Sequence, residues 1–156
     1  MISTPPSILL RLVRAGLVTG VTDGLFSSVL AAFVYGSTVT RLWQSVASVL
    51  LGAAALDGGM RTAGIGLAMH FGIAVAWSAV FLLLVLASSW LRAVLASPYG
   101  VIAVASVYGP IIWMTMSLVL IPLFTHRPPA INLRWWVQCF GHIPFVALPI
   151  VLNSRF

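Results

Sequence analysis

Three ionisable side chains stand inside long apolar stretches of this sequence: Asp23, His70 and His142. Ionisable groups are costly in hydrocarbon, so those that occur there commonly have a function. Two imidazoles on different helices can ligate one b-type haem, and a carboxyl group near an imidazole can pass a proton or an ion. The simpler alternative is a hydrogen-bonded polar core, and the sequence favours it.

Counting residues from one membrane surface, where the first span ends and the second and fourth begin, gives the depth of these groups. His70 and His142 lie about eight residues in, which is about 12 Å at 1.5 Å per residue. Asp23 should lie roughly 6 Å deeper. We therefore expect Asp23 to be a neutral, hydrogen-bonded acid and not a charge partner of either histidine. Gln138 and Trp113 are expected to join the same buried polar core.

The residue types leave little room for other chemistry. Two histidines and an offset aspartate fall short of the three or four protein ligands of a closed metal site, so no metal is expected. The single cysteine, Cys139, excludes an internal disulfide. The chain has no glutamate and no lysine, and it contains neither G-x-S-x-G nor H-E-x-x-H. We expect no enzyme and no cofactor, with haem b on His70 and His142 as the alternative.

The composition indicates a membrane protein. The 156 residues are 61% hydrophobic and 6% charged, whereas about 25% of the residues of an ordinary soluble domain are charged. Their mean hydropathy is +1.11. The cations are scattered arginines, and a nucleic-acid surface needs clustered ones, so no nucleic acid is expected as a partner. The sequence predicts an all-α, polytopic integral membrane protein with a single transmembrane domain over residues 1–156.

Gaps between the arginines define the helices that must position the polar groups. A helix needs about twenty mostly apolar residues to cross about 30 Å of hydrocarbon. Four stretches meet this length and are predicted to form a four-helix bundle: residues 12–35, 62–88, 99–122 and 134–152.

A fifth apolar segment, residues 39–55, is shorter and carries Arg41 and Gln44. Its length predicts a short interfacial or re-entrant helix. One face is apolar at helical spacing and consists of Leu42, Val46, Val49 and Leu50. Trp135 and Trp136 are expected in the aromatic belt at a membrane surface.

Small residues at four-residue spacing predict where the spans pack together. Hydrophobicity alone does not pair helices in lipid, so close backbone approach is needed. The two series are Gly16, Gly20 and Gly24 in the first span, and Ala68, Gly72 and Ala76 in the second. Kinks are expected in the third and fourth spans at Pro110, Pro144 and Pro149.

The arginines leave the topology nearly balanced, with four expected at each membrane surface. Arg11 and Arg14 precede the first span, which usually dominates orientation, so the N-terminus is expected in the cytoplasm. Membrane lipids should surround the spans.

Two segments in the first half of the chain resemble small four-span bacterial inner-membrane proteins of the uncharacterised, YagU-like kind. These segments are Leu42-Trp43-Gln44-Ser45-Val46-Ala47-Ser48, continuing to Leu51-Gly52, and Gly66-Leu67-Ala68-Met69-His70-Phe71. The resemblance implies a four-span architecture in the bacterial inner membrane. It implies no chemistry, and no functional residue is carried over from it.

These observations predict a non-catalytic accessory or structural subunit of a bacterial membrane complex. Its partners would be lipids and other integral membrane subunits, or a second copy of itself, packed through the transmembrane helices. The alternative is a membrane protein that transfers electrons through a bis-histidine haem b, or one that relays protons or ions through its buried polar groups.

Overall fold

The computed structural model describes residues 7–156, and every regular element in that part of the chain is a helix. The helices are α1 (Ile8–Val29), α2 (Val39–Leu51), α3 (Gly59–Ala87), α4 (Ser89–Leu95), α5 (Pro98–Met114), α6 (Ile121–Thr125), α7 (Leu133–His142) and α8 (Leu148–Asn153). Short π-helical turns continue α1, α5 and α7, at Leu30–Val34, Thr115–Leu120 and Ile143–Ala147. A 3-10 turn, Ala53–Asp57, follows α2.

Four helical stretches are long and apolar enough to cross a membrane. They are Ile8–Val34, Gly59–Ala87, Pro98–Thr125 and Leu133–Asn153, here called spans 1 to 4. Every bound lies within about one helical turn of the predicted one, so the expectation of four apolar helices is confirmed.

Polar side chains at the helix starts explain these bounds. The side-chain oxygens of Ser7, Thr38, Ser88, Ser97 and Asn132 each accept a hydrogen bond from a backbone N–H three residues on. Such caps satisfy donors that the first turn of a helix leaves free. The cap at Ser88 begins α4, a short helix that the sequence analysis did not predict.

The α4 helix closes the C-terminal end of α3. Arg92 donates hydrogen bonds to the carbonyl oxygens of Val85 (2.7 Å) and Leu86 (2.8 Å), which have no partner in the last turn of a helix. A cation at this position also complements the helix dipole. The turn after α3 is thereby fixed, and span 3 leads back along span 2.

The α2 helix forms where the segment 39–55 predicts one, but it packs through a different face. Trp43, Gln44 and Ala47 are buried, whereas the four residues of the predicted apolar face are half-buried or exposed. The reason is Gly66 on α3, because a Cβ there would meet the backbone carbonyl of Trp43. The missing side chain lets the two backbones approach closely.

The apolar core lies at the end of the molecule that carries α4. It joins the C-terminal half of α3 with α4, α5 and the end of span 4, and its largest fully buried side chains are Phe81, Val85, Ile112, Ile150 and Val151. The polar side chains of interest lie in the other half, toward α2, which we call the α2 end.

The glycines of span 1 pack against span 2. Gly16, Gly20 and Gly24 are buried, and a Cβ would collide with Val75 at Gly16 and with Phe71 at Gly20. Neighbouring spans run antiparallel, since later positions in α1 contact earlier positions in α3. The series therefore brings the two helices together, as its spacing predicts.

The second small-residue series is exposed in the part of the chain that the structure describes. Ala68, Gly72 and Ala76 are exposed, and a Cβ on Gly72 would have no atom within 4 Å. The expectation that this series packs against another helix stays a prediction. Span 2 carries small residues on two faces, and it turns inward the face of Ala63, Gly66, Ala74 and Ser78.

Pro149 leaves one backbone carbonyl oxygen of span 4 without its helical donor, and a side chain of span 1 donates to it instead. Pro149 has no N–H, so the carbonyl of Phe145 loses its partner one turn on. The hydroxyl of Thr22 on α1 donates to this oxygen at 2.6 Å. Pro110 lies inside α5, and Pro144 lies in the π-helical turn after α7.

Candidate functional site

Asp23 of span 1 and His70 of span 2 form a buried pair. Their side chains are 15% and 13% exposed, and Oδ2 of Asp23 lies 3.8 Å from Nδ1 of His70. Oδ1 of Asp23 is buried and has no hydrogen-bond partner in the described part of the chain. A charged carboxylate alone at this depth is costly, which favours a net-neutral pair in which one proton serves both groups.

The glycines of α1 set the orientation of His70. Its Nε2 lies 3.0 Å from the carbonyl oxygen of Gly20, and a carbonyl only accepts, so Nε2 carries a proton. A Cβ on Gly24 would lie 3.4 Å from the same nitrogen. Trp43 of α2 covers the ring, with centroids 5.0 Å apart. His70 therefore presents Nδ1 to Asp23.

The expectation that His70 lies about one turn away from Asp23 in depth is wrong, because the two side chains are 3.8 Å apart. Span 2 begins at Gly59 and not at residue 62, which moves His70 deeper into its helix. His70 then lies as many residues after Gly59 as Asp23 lies before Val34. The two side chains are level with each other, whereas the predicted bounds separated them by about one turn.

His142 occupies a second part of the polar core, between spans 3 and 4. Its Nδ1 donates to the carbonyl oxygen of Gln138 at 2.7 Å, which leaves Nε2 as the acceptor of a neutral ring. The ring lies against Trp113, with centroids 4.9 Å apart. Nε1 of Trp113 is buried and has no hydrogen-bond partner among residues 7–156.

Two glycines bring three spans together at His142. A Cβ on Gly109 of α5 would come within 2.7 Å of the His142 carbonyl oxygen. A Cβ on Gly141 would collide with the ring of Phe26 on α1. Neither glycine was predicted from the sequence to contribute to this site, although Gly109 directly precedes Pro110 and Gly141 directly precedes His142.

The arrangement gives little support to a haem held by both histidines. Axial ligation needs a free ring nitrogen from each. Both ring nitrogens of His70 have neighbours, because Nε2 faces the Gly20 carbonyl and Nδ1 faces Asp23. In His142 only Nδ1 is engaged, by the Gln138 carbonyl, so Nε2 remains available. The haem alternative on His70 and His142 stays a prediction, and the orientation of His70 does not favour it.

A cavity of about 430 Å³ opens beside this core at the α2 end. It lies between α2, the end of span 3, the loop before span 4, and α7. Its polar lining includes Arg127, Arg134, Asn132, Gln138, Trp113 and Ser48. Gln138 and Trp113 were expected in a closed core, and the structure places them also at the inner wall of an opening.

Trp135 departs from its expected place. It is buried, and its Nε1 donates to the hydroxyl of Ser117 at 2.9 Å, so it belongs to the polar core and the cavity wall. Trp136 is exposed, as a residue of an aromatic belt should be. Residue type alone predicts neither the unpaired N–H of Trp113 nor the hydrogen bond from Trp135 to Ser117 of span 3.

Comparisons of the chain with family models, with curated proteins and with solved structures found no match. The fold itself therefore defines the class. The described residues form an all-helical chain with four helices long and apolar enough to cross a membrane, which indicates a multi-pass membrane protein.

Proposed function

We propose that this protein is a non-catalytic accessory subunit of the bacterial inner membrane that packs on another transmembrane helix through the outward face of α3. That face consists of Gly64, Ala68, Gly72 and Ala76. All four are exposed, and a Cβ on either glycine would have no atom within 4 Å. This open series of small residues is the observation that supports the proposal.

Small residues on an outward helix face indicate a helix contact, because contact with lipid alone does not require small side chains. Helices associate in a bilayer through close packing, and small residues at four-residue spacing allow it. The exposed surface farther along α3 carries large side chains, Leu83 and Leu84, as does α1 at Leu17 and Leu25. The small-residue face is thus confined to one part of one helix, as expected for a contact area.

The rest of the proposal follows from the four spans. An even number of crossings places the first and the last residues of the chain on the same side of the membrane. The contact of Arg11 with the carbonyl of Arg155 and the ring of Phe156 supports this arrangement. The early pair, Arg11 and Arg14, favours a cytoplasmic N-terminus. In this arrangement α2 lies at the opposite surface.

Purification of the tagged protein from its own membranes tests the proposal. We expect an integral membrane protein, or a second copy of this chain, to co-purify with the native protein. It should be lost with Gly72→Leu and retained with Ala103→Leu, which enlarges an exposed residue of α5. Equal recovery with both variants would count against the α3 face.

A proton relay is the second candidate, and the partly buried Asp23–His70 pair is the observation that favours it. The pair places a carboxyl group beside an imidazole, and such groups form proton relays within membranes. Proton uptake into vesicles that contain the protein, abolished by Asp23→Asn, would support the relay. No uptake with the native protein would exclude this role.

A further inference from the structure

The cavity at the α2 end is rich in hydrogen-bond donors and contains no carboxylate. Arg127 and Arg134 supply two cations, and neither acidic residue of the sequence is in the lining. Arg134 stacks on the ring of Tyr35, with its guanidinium carbon 4.5 Å from the ring centroid. Stacking occupies the face of a guanidinium and leaves its N–H edge free for an anion.

Uncharged donors complete this wall. The buried N–H of Trp113 has no partner in the described structure. The side-chain oxygen of Asn132 accepts from the N–H of Trp135, which leaves the Asn132 amide N–H groups to donate. Gln138 adds a second amide. The nitrogen of Trp113 has no surface open to the cavity, so the donors that a ligand can reach are those of the arginines and the two amides.

The cavity also has an apolar side. Val49, Ile121 and Pro122 line it together with the polar groups. Arg127 follows the end of span 3 and Arg134 begins span 4, so the two cations stand where lipid headgroups meet the spans. A volume of about 430 Å³ is large enough for a small-molecule ligand.

We infer that this cavity binds a phosphate group, held by Arg127 and Arg134 with help from the amides of Asn132 and Gln138. Arginine forks match phosphate oxygens with two parallel hydrogen bonds. The phosphate can belong to a lipid headgroup or be free in solution. The site lies away from the outward face of α3, and the inference does not rest on the proposed accessory role.

Titration of the purified protein, followed by native mass spectrometry, tests the site. The probes are phosphatidylglycerol, a galactolipid with the same acyl chains, and inorganic phosphate. We expect saturable binding of one phosphatidylglycerol, weakened about tenfold by Arg127→Gln and by Arg134→Gln, because each removes charge-assisted hydrogen bonds. Arg61→Gln is the matched control, since Arg61 is exposed at the same end and is not in the lining.

Gln138→Leu is a second, uncharged variant, which keeps the approximate size of the side chain and removes its amide donors. It should weaken phosphatidylglycerol binding several-fold while the melting temperature without ligand is kept. Inorganic phosphate that binds as tightly as the lipid supports the site and identifies free phosphate as the ligand. Galactolipid that binds as tightly as phosphatidylglycerol, or an equal loss with Arg61→Gln, would overturn the inference.

Discussion

Asp23 has a carboxylate group whose hydrogen bonding is incomplete in the described chain. One carboxylate oxygen has no hydrogen-bond partner in the described chain, and the other lies 3.8 Å from His70, beyond hydrogen-bond length. Their interaction is therefore one of charge. On insertion scales a lone carboxylate at the membrane centre costs about 2.5–3.5 kcal/mol. His70 lowers that cost by placing Nδ1 beside the carboxylate. The contact between its Nε2 and the carbonyl of Gly20 holds the ring in this orientation.

A double-mutant cycle measures this interaction. Asp23→Asn and His70→Gln should each destabilise the protein, and the double variant should lose less than the sum, with a coupling free energy of about 1 kcal/mol. The measurement is the free energy of unfolding in detergent. The control cycle pairs Asp23→Asn with His126→Gln, an exposed residue after α6, and should be additive. Additivity in the first cycle would mean that the two side chains do not share a proton or a charge.

At the scale of the elements, glycines determine how closely each helix approaches its neighbour. Gly66 admits the backbone of α2, Gly20 admits the ring of Phe71, and Gly109 admits the backbone at His142. The obstacle differs at these sites. A side chain such as Phe71 can rotate away, whereas a backbone carbonyl can move only if its helix moves.

Gly66→Ala should therefore be strongly destabilising. Its Cβ would meet the Trp43 carbonyl, and relief requires α2 to lift from α3, at a cost of about 1–3 kcal/mol. Gly64→Ala is the matched control in the same helix, because nothing lies within 4 Å of its Cβ. It should be neutral or stabilising by up to about 1 kcal/mol through helix propensity. Thermal melts of the two variants decide this, and equal melting temperatures would refute the close contact.

The four long helices could be predicted because apolar length alone defines them. The pairing of Asp23 with His70 could not, since it depends on where span 2 starts, and the predicted start at residue 62 came three residues after Gly59. Span 2 also has small residues on both faces, and spacing does not tell which face turns inward. The cavity depends on how the loop before span 4 folds, which no periodicity specifies.

At the scale of the whole molecule, the two ends differ in kind. The end with α4 contains the apolar core, while the α2 end contains the polar core, the cavity and the outward small residues of α3. An apolar core at one end can hold the spans together while polar groups and glycines at the other end serve contacts and ligands. The proposed docking face and the proposed phosphate site thus lie in the same half of the molecule but on different helices.

The most direct test is the mass of the particle extracted from membranes into lipid nanodiscs. Ala76→Leu and Ala103→Leu make the same change at two exposed alanines, and only Ala76 lies on the outward small-residue face of α3. We predict that particles of the native protein and of Ala103→Leu contain more protein mass than one copy of the chain, after lipid and belt are subtracted. Particles of Ala76→Leu should contain one copy of the chain alone. A native protein found as single chains after gentle extraction, or one mass shared by all three, would contradict assembly through this face.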